Sequence, residues 1–117
     1  MAVYKLARYA IRADARLDAE RAMHAFASYV RAELADSSWT AFRDPTNPTH
    51  FLSTTRDDHT AADELRRRSP GHQAFIAAIT PLLEGGIEEM ELELVTSSDL
   101  APRHKPGAKP SGRRRPR

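Results

Sequence analysis

Arg43-Asp44-Pro45-Thr46-Asn47-Pro48-Thr49-His50-Phe51 is the stretch that decides how this chain folds. Its two prolines read as a turn, where a missing backbone N–H costs little. The flanking runs, Ser38 to Arg43 and His50 to Thr55, are rich in Trp, Thr and Phe and read as the two strands of a hairpin. Downstream, Ser69-Pro70-Gly71-His72-Gln73-Ala74-Phe75 places an N-cap serine before a proline at the first helical position, and Phe75, Ile76, Ile79, Leu82 and Leu83 give that helix an apolar stripe. Pro81 is expected to bend it and Gly85-Gly86 to stop it. Between hairpin and helix, Asp57 or Asp58 is expected to cap a short helix ending near Arg68.

Working outward, residues 3 to 13 read as a strand. Val3, Ala7, Tyr9 and Ile11 lie near one face and Tyr4, Leu6 and Ala10 on the other, so the strand is apolar on both sides and belongs at the centre of a sheet. Asp18 offers an N-cap, after which Ala19, Met23, Phe26, Ala27, Val30 and Leu34 recur at three- and four-residue steps as an amphipathic helix to about Ala35. Ile87 to Thr96 alternates Met90, Leu92 and Leu94 against Glu89, Glu91 and Glu93. Three glutamates in register would repel in a covered strand, so this is an edge strand, its acids facing solvent or meeting Arg8 and Arg12. The order β-α-β-β-α-α-β is a split βαβ unit of ferredoxin-like type, an α+β fold with an antiparallel sheet.

Composition bounds the function. A chain of 117 residues is one domain with modest burial and much to gain from covering a sheet face with a second copy. It has no cysteine, which removes disulfides, thiolate catalysis and cysteine-ligated metals. No segment approaches the roughly 20 apolar residues of a membrane span, and the first residues lack the apolar run of a signal peptide, so a soluble cytoplasmic protein without membrane contact is expected. The net charge of +2 hides a split: residues 101–117 carry seven Lys and Arg and no acid, while residues 1–100 carry 11 bases against 16 acids. The chain therefore divides into a folded domain over 1–100 and a disordered basic tail over 101–117, whose Arg113-Arg114-Arg115 is suited to weak, non-specific phosphate contact with nucleic acid.

The "RDP..P..F" hairpin, the "SP.....F" helix start and the "PLL.GG" helix end, in this order and spacing over roughly residues 3 to 95, resemble the antibiotic biosynthesis monooxygenase (ABM) family of dimeric α+β barrels. The resemblance implies a homodimer and oxygenation of an electron-rich aromatic or quinol-type small molecule without metal, flavin or haem. Where family members commonly carry a glutamate, a tryptophan and a histidine, this chain has Thr55, Asp57 and Arg66. The alternative is a non-catalytic dimer that binds a small hydrophobic ligand or serves a structural role.

Candidate site residues follow from the same reading. Tyr9 and Trp39, with Phe75, supply aromatic walls for a flat substrate, or else belong to the core. His72, in the first turn of its helix, is placed to act as a general base, its pKa lowered by the positive helix end, or is a partly exposed helix-start residue. Arg66 cannot serve as a base but is suited to stabilise an enolate or phenolate. With Arg67 and Arg68 it otherwise reads as a solvated helix face. His24, His50 and His59 sit on separate elements with no ligand spacing, so no metal site is expected.

Overall fold

The computed structural model describes residues 1–100, and the basic tail over 101–117, with its expected disorder and nucleic-acid contact, lies outside the described residues. Four strands and three helices follow in the order β1 (Val3–Ala10), α1 (Arg16–Glu33), β2 (Ser37–Asp44), β3 (Asn47–Asp57), α2 (Thr60–Arg68), α3 (Pro70–Ile79) and β4 (Glu88–Leu92). The sheet runs β2-β3-β1-β4 with every pair antiparallel, which is the expected ferredoxin-like α+β arrangement. β1 lies inside the sheet and β4 at its edge, as their patterns require. Among the described residues no helix is long and apolar enough to cross a membrane.

Several boundaries differ from the sequence reading. β1 ends at Ala10 rather than residue 13, because Ile11 makes only a single bridge to Leu83 before a 3-10 turn over Ala13–Ala15. That turn feeds α1 directly, so the helix starts at Arg16 and Asp18 sits inside its first turn, paired with Arg21, instead of capping it. Pro48 is not in the turn but in β3, next to a register shift between Arg43 and Asp44 that relaxes the demand for its N–H. The tight turn is held instead by the Asp44 carboxylate, which accepts from Thr46 N at 2.9 Å and Thr46 Oγ1 at 2.8 Å. Neither Asp57 nor Asp58 caps α2. His59 does, its Nδ1 accepting from Ala62 N at 3.1 Å. Ser69 and Pro70 open α3 as expected, Ser69 Oγ accepting from His72 N at 3.2 Å.

Side chains alternate across the sheet, and all three helices cover one of its faces. Ala7, Tyr9, Ile11 and Phe51 from the strands pack with Ala19, Met23, Phe26 and Val30 of α1 and with Phe75 and Ile79 of α3 in a single core. Where α1 meets α3 the backbones come close: a Cβ added at Gly71 would lie 2.1 Å from Tyr29 Cδ2 and 2.3 Å from its Cγ. Because the base of the ring is blocked as well as its edge, the whole side chain would have to move. Gly71→Ala is expected to lower stability by about 1–3 kcal/mol despite alanine's better helix propensity, read as an earlier thermal midpoint.

The opposite sheet face carries no helix. Tyr4, Leu6 and Leu52 are half-buried there, while Phe42 is 52% and Met90 51% exposed. The β1–β4 register fixes which side each glutamate takes. Arg8 lies opposite Glu88, whereas Glu89 lies opposite Ala7 and Glu91 opposite Lys5. Because one residue of register exchanges the faces of a strand, Glu89 and Glu91 share the helix-covered side and Met90 and Leu92 the open one. Glu89, Glu91 and Glu93 are all exposed, the solvent-facing outcome that was expected; among the described residues none pairs with Arg8 or Arg12, and Glu93 falls beyond β4.

Candidate active site

Register lays out the floor of the site in rows. Trp39, Thr55, Lys5 and Glu91 lie across the sheet in one row, and Ala41, Ser53, Ala7 and Glu89 in the next. Phe51 and Tyr9 pair in the third. At its centre the middle row carries the small side chains of Ala41, Ser53 and Ala7 beside the larger Trp39, Lys5, Phe51 and Tyr9, and that difference in height opens space between sheet and helices. A cavity of about 170 Å³ results, with Ala7, Ser53 and Thr55 in its floor, Tyr9, Phe26, Trp39 and Phe75 in its walls, and Lys5, Arg66, Arg67, His72 and Glu89 around it.

All five residues singled out from sequence, Tyr9, Trp39, Arg66, His72 and Phe75, therefore line one cavity. A larger hollow of about 540 Å³ opens at the hairpin end of the sheet near Phe42, His50 and Glu84, but of the five it reaches only Tyr9. Size alone does not make it the better candidate, since chemistry needs convergent polar groups.

The aromatic walls are interlocked. Phe26 stacks on Phe75 at 5.0 Å, Trp39 meets Phe26 edge-on at 5.0 Å and Phe75 at 5.5 Å, and Tyr9 meets Phe75 edge-on at 6.2 Å. Trp39 and Phe75 thus serve as core and wall at once, so the two readings of them were not exclusive. Tyr9 is buried with its hydroxyl 2.8 Å from Ser53 Oγ. Burial pushes its phenol above the usual value near 10 against the opposing effect of the Ser53 hydrogen bond, which keeps it a neutral hydrogen-bonding group.

Arg66 is not on a solvated face. It is 4% exposed and forms a fork on Asp57, which is fully buried, with Nε to Oδ1 and Nη2 to Oδ2 both at 3.1 Å. Nη2 also donates to Asp63 Oδ1 at 2.9 Å. Ser37 Oγ donates to Asp57 Oδ1 at 2.6 Å, while Lys5 Nζ at 3.0 Å and Arg67 Nε at 3.2 Å hold Asp63. The fork uses Nε and Nη2, so Arg66 influences the cavity through its field and its remaining nitrogen rather than as a free side chain. Burial would raise the Asp63 carboxyl, but the Lys5 hydrogen bond and the Lys5 and Arg67 charges outweigh it and hold the group below the usual carboxylate range.

His72 is half-buried, and its Nδ1 is buried with no hydrogen-bond partner among the described residues. Phe26 lies against the ring at 5.9 Å. Burial, and then the charge of Arg66, lower its pKa below the usual value of 6.5, with Glu89 acting in the opposite sense. The direction is the expected one, but its physical origin is desolvation and neighbouring charge rather than the helix end. Lys5, Ser53, Arg67 and Glu89 are polar cavity residues that sequence reasoning missed. Among the described residues no group of three His, Asp or Glu side chains is placed to hold a metal ion.

Neither a protein-family model nor a curated protein matches the chain. Solved structures do. Rv0793 from Mycobacterium tuberculosis superposes with a TM-score of 0.76 at 19% identity over 84% of this chain and 99% of its own. A structure named antibiotic biosynthesis monooxygenase gives 0.74 at 14% identity over 82% of this chain and 100% of that one. A Chloroflexus aurantiacus protein provisionally given the same name gives 0.70 at 18% identity over 86% and 99%. This chain has an antibiotic biosynthesis monooxygenase-like fold. At these identities the likeness concerns the fold, and chemistry has to be argued from the cavity.

Proposed function

We propose that the chain is a cofactor-independent oxygenase of a small electron-rich aromatic or quinol-type molecule, bound in the cavity above Ala7 and Ser53. The observation that carries this reading is His72: an imidazole held neutral by burial and by Arg66, in one small cavity with Tyr9, Trp39 and Phe75. A neutral imidazole accepts a proton from a phenolic hydroxyl, and the aromatic walls exclude water from the anion that forms. The Arg66 and Lys5 charges stabilise that anion. A quinol anion then reduces O₂ directly. One oxygen atom enters the ring, the other leaves as water, and the substrate supplies all four electrons by ending as a hydroxylated quinone. His72 returns its proton to the departing oxygen.

Oxygen consumption with hydroquinone-like and anthrone-like compounds, after chelator treatment to strip metals, tests the proposal. Uptake with a single-ring quinol is expected, and no uptake above background with any such compound would remove the enzyme reading. A second reading, a dimer that binds an aromatic ligand without turning it over, is favoured by one observation: Asp57 and Arg66, at two of the three positions where the family resemblance implies polar site residues, are consumed in a buried ion pair.

The uncovered sheet face supports a homodimer as the working unit, with the folded domain over 1–100 as its building block. Tyr4, Leu6, Leu52, Phe42 and Met90 would be covered by the same face of a second copy, as an isologous interface requires. Leu6→Glu is expected to convert a dimer to a monomer in sedimentation at micromolar concentration. A wild-type monomer under those conditions would remove this assembly.

A further inference from the structure

The cavity is polarised. Lys5, Ala7 and Tyr9 stand in sequence along the helix-covered side of β1, roughly 6.8 Å apart at each step of two residues. Around Lys5 gather Arg66 and Arg67, tied to it through the shared Asp63 carboxylate. Three cations thus stand against the two buried carboxylates of Asp57 and Asp63, while Glu91, opposite Lys5, is exposed at the β4 margin. Around Tyr9, at the other end, stand Phe75 and Phe26. Glu89 supplies an opposite charge from the β4 margin, beside Ala7. The space itself, about 170 Å³, is close to the roughly 150 Å³ that accepts one benzene ring and below the roughly 300 Å³ at which sites for larger ligands begin.

From this cavity we infer that the ligand is a single-ring aromatic acid, its carboxylate held by Lys5 and Arg67 and its ring lying over Ala7 and Ser53 against Tyr9 and Phe75. Resting on the oxygenase reading, this names the substrate class as hydroxylated benzoates and excludes fused polycyclic rings. Lys5 and Arg67 are suited to the task for different reasons. Lys5 is largely shielded from water, so its charge is weakly screened, and Arg67 is half-exposed, so it can turn from Asp63 toward an entering anion. Glu89 repels a carboxylate and accepts from a hydroxyl, so a ring carrying both groups fits in one orientation.

The test uses two probes with the same ring, 2,5-dihydroxybenzoate and hydroquinone, titrated under argon so that binding is read without oxidation. Trp39 is the only tryptophan of the chain, so a single indole N–H resonance reports on the cavity wall. Calorimetry supplies the affinities. The acid is expected to bind roughly tenfold or more tightly than hydroquinone, the value of one charge-assisted hydrogen bond, and to shift the Trp39 signal. Arg67→Gln should remove most of that preference while leaving hydroquinone binding and the thermal midpoint near wild type, and Arg67→Lys should restore part of it. Ala7→Leu, which fills the floor, should abolish binding of both.

Equal or tighter binding of hydroquinone, an anion preference untouched by Arg67→Gln, or no Trp39 shift with either compound would overturn the inference. In air the two proposals separate. If the acid binds but no oxygen is consumed, the oxygenase reading fails and the ligand assignment stands. If neutral quinols or polycyclic anthrones turn over without any advantage for the acid, the assignment fails and the oxygenase reading stands.

Discussion

Arg66→Ala is expected to destabilise the protein by about 3–5 kcal/mol, the cost of leaving buried carboxylates without their cation. Among the described residues, fully buried Asp57 is held by the guanidinium fork and Ser37, whereas Asp63 retains Lys5 and Arg67. The loss should therefore fall mainly on Asp57, and Asp57→Ala should cost a similar amount. Arg66→Lys should rescue little, because an ammonium cannot reproduce two parallel bonds to one carboxylate. The paired replacement Asp57→Leu with Arg66→Met should recover much of the stability, since removing both partners leaves no orphaned charge. Urea unfolding of the four variants checks this. A single Arg66→Ala cost below about 1 kcal/mol would place the pair in the range of solvent-screened surface bridges. pH gives a second readout: the lowered carboxyl of Asp63 contributes stability that is fully present above its unfolded value near 3.9 and is lost as pH falls below it.

His72→Ala is expected to lower kcat by roughly 10²-fold while leaving the fold and dimer intact, the usual contribution of a positioned general base. The residue is only half-buried and makes no side-chain hydrogen bond among the described residues, so its removal leaves little structural debt. That separates it from Arg66, whose loss would slow turnover by unfolding the site. Stopped-flow oxygen consumption with a single-ring quinol, compared with the thermal midpoint, distinguishes the two. The pH profile carries the same signature. Because the folded pKa of His72 lies below 6.5, the base form persists below the usual titration range, and activity should fall only at more acidic pH. The stability contribution has the matching sign: the unfolded histidine takes up a proton near 6.5 that the folded one resists, so stability is present above that pH and declines as pH falls through it. An active enzyme indifferent to His72→Ala would place the base elsewhere in the cavity, where Glu89 is the carboxylate in the lining.

The contrast between these residues explains what the sequence could reveal. Hairpin, sheet order and the start of α3 were legible because turn chemistry and apolar periodicity are local. Ser69-Pro70 marks a helix start wherever the helix packs, and the both-sided apolarity of β1 demands an interior position. Tyr9, Trp39 and Phe75 were grouped around one cavity because the family resemblance implies a cavity between sheet and helices, and all three line one. Arg66 was named for the site, but its competing reading as part of a solvated run, Arg66-Arg67-Arg68, fails because the side chain is buried. Its burial depends on Asp57, nine residues away at the end of β3, and the spacing to Asp63 at i−3 was the only local hint. Glu89 was missed because one residue of register decides which side of an edge strand faces the helices, and a pattern of alternating Glu and Leu is compatible with either. Lys5 escaped for a related reason, since its role depends on a contact with α2 that no periodicity encodes.

β4 contributes Glu89 to the cavity, yet its five residues are all exposed and it is hydrogen-bonded to β1 alone. A strand with so little buried surface belongs to the least protected class of backbone, and its amides should exchange with solvent well ahead of those of β1 and β3 in the sheet interior. Detachment of that strand would withdraw the carboxylate and open the cavity along its length without disturbing the Asp57–Arg66 anchor on the far side. The fold thus places the removable wall and the immovable one on opposite margins of the same site, so ligand exchange can proceed by partial opening while the ion-paired base of the cavity stays assembled.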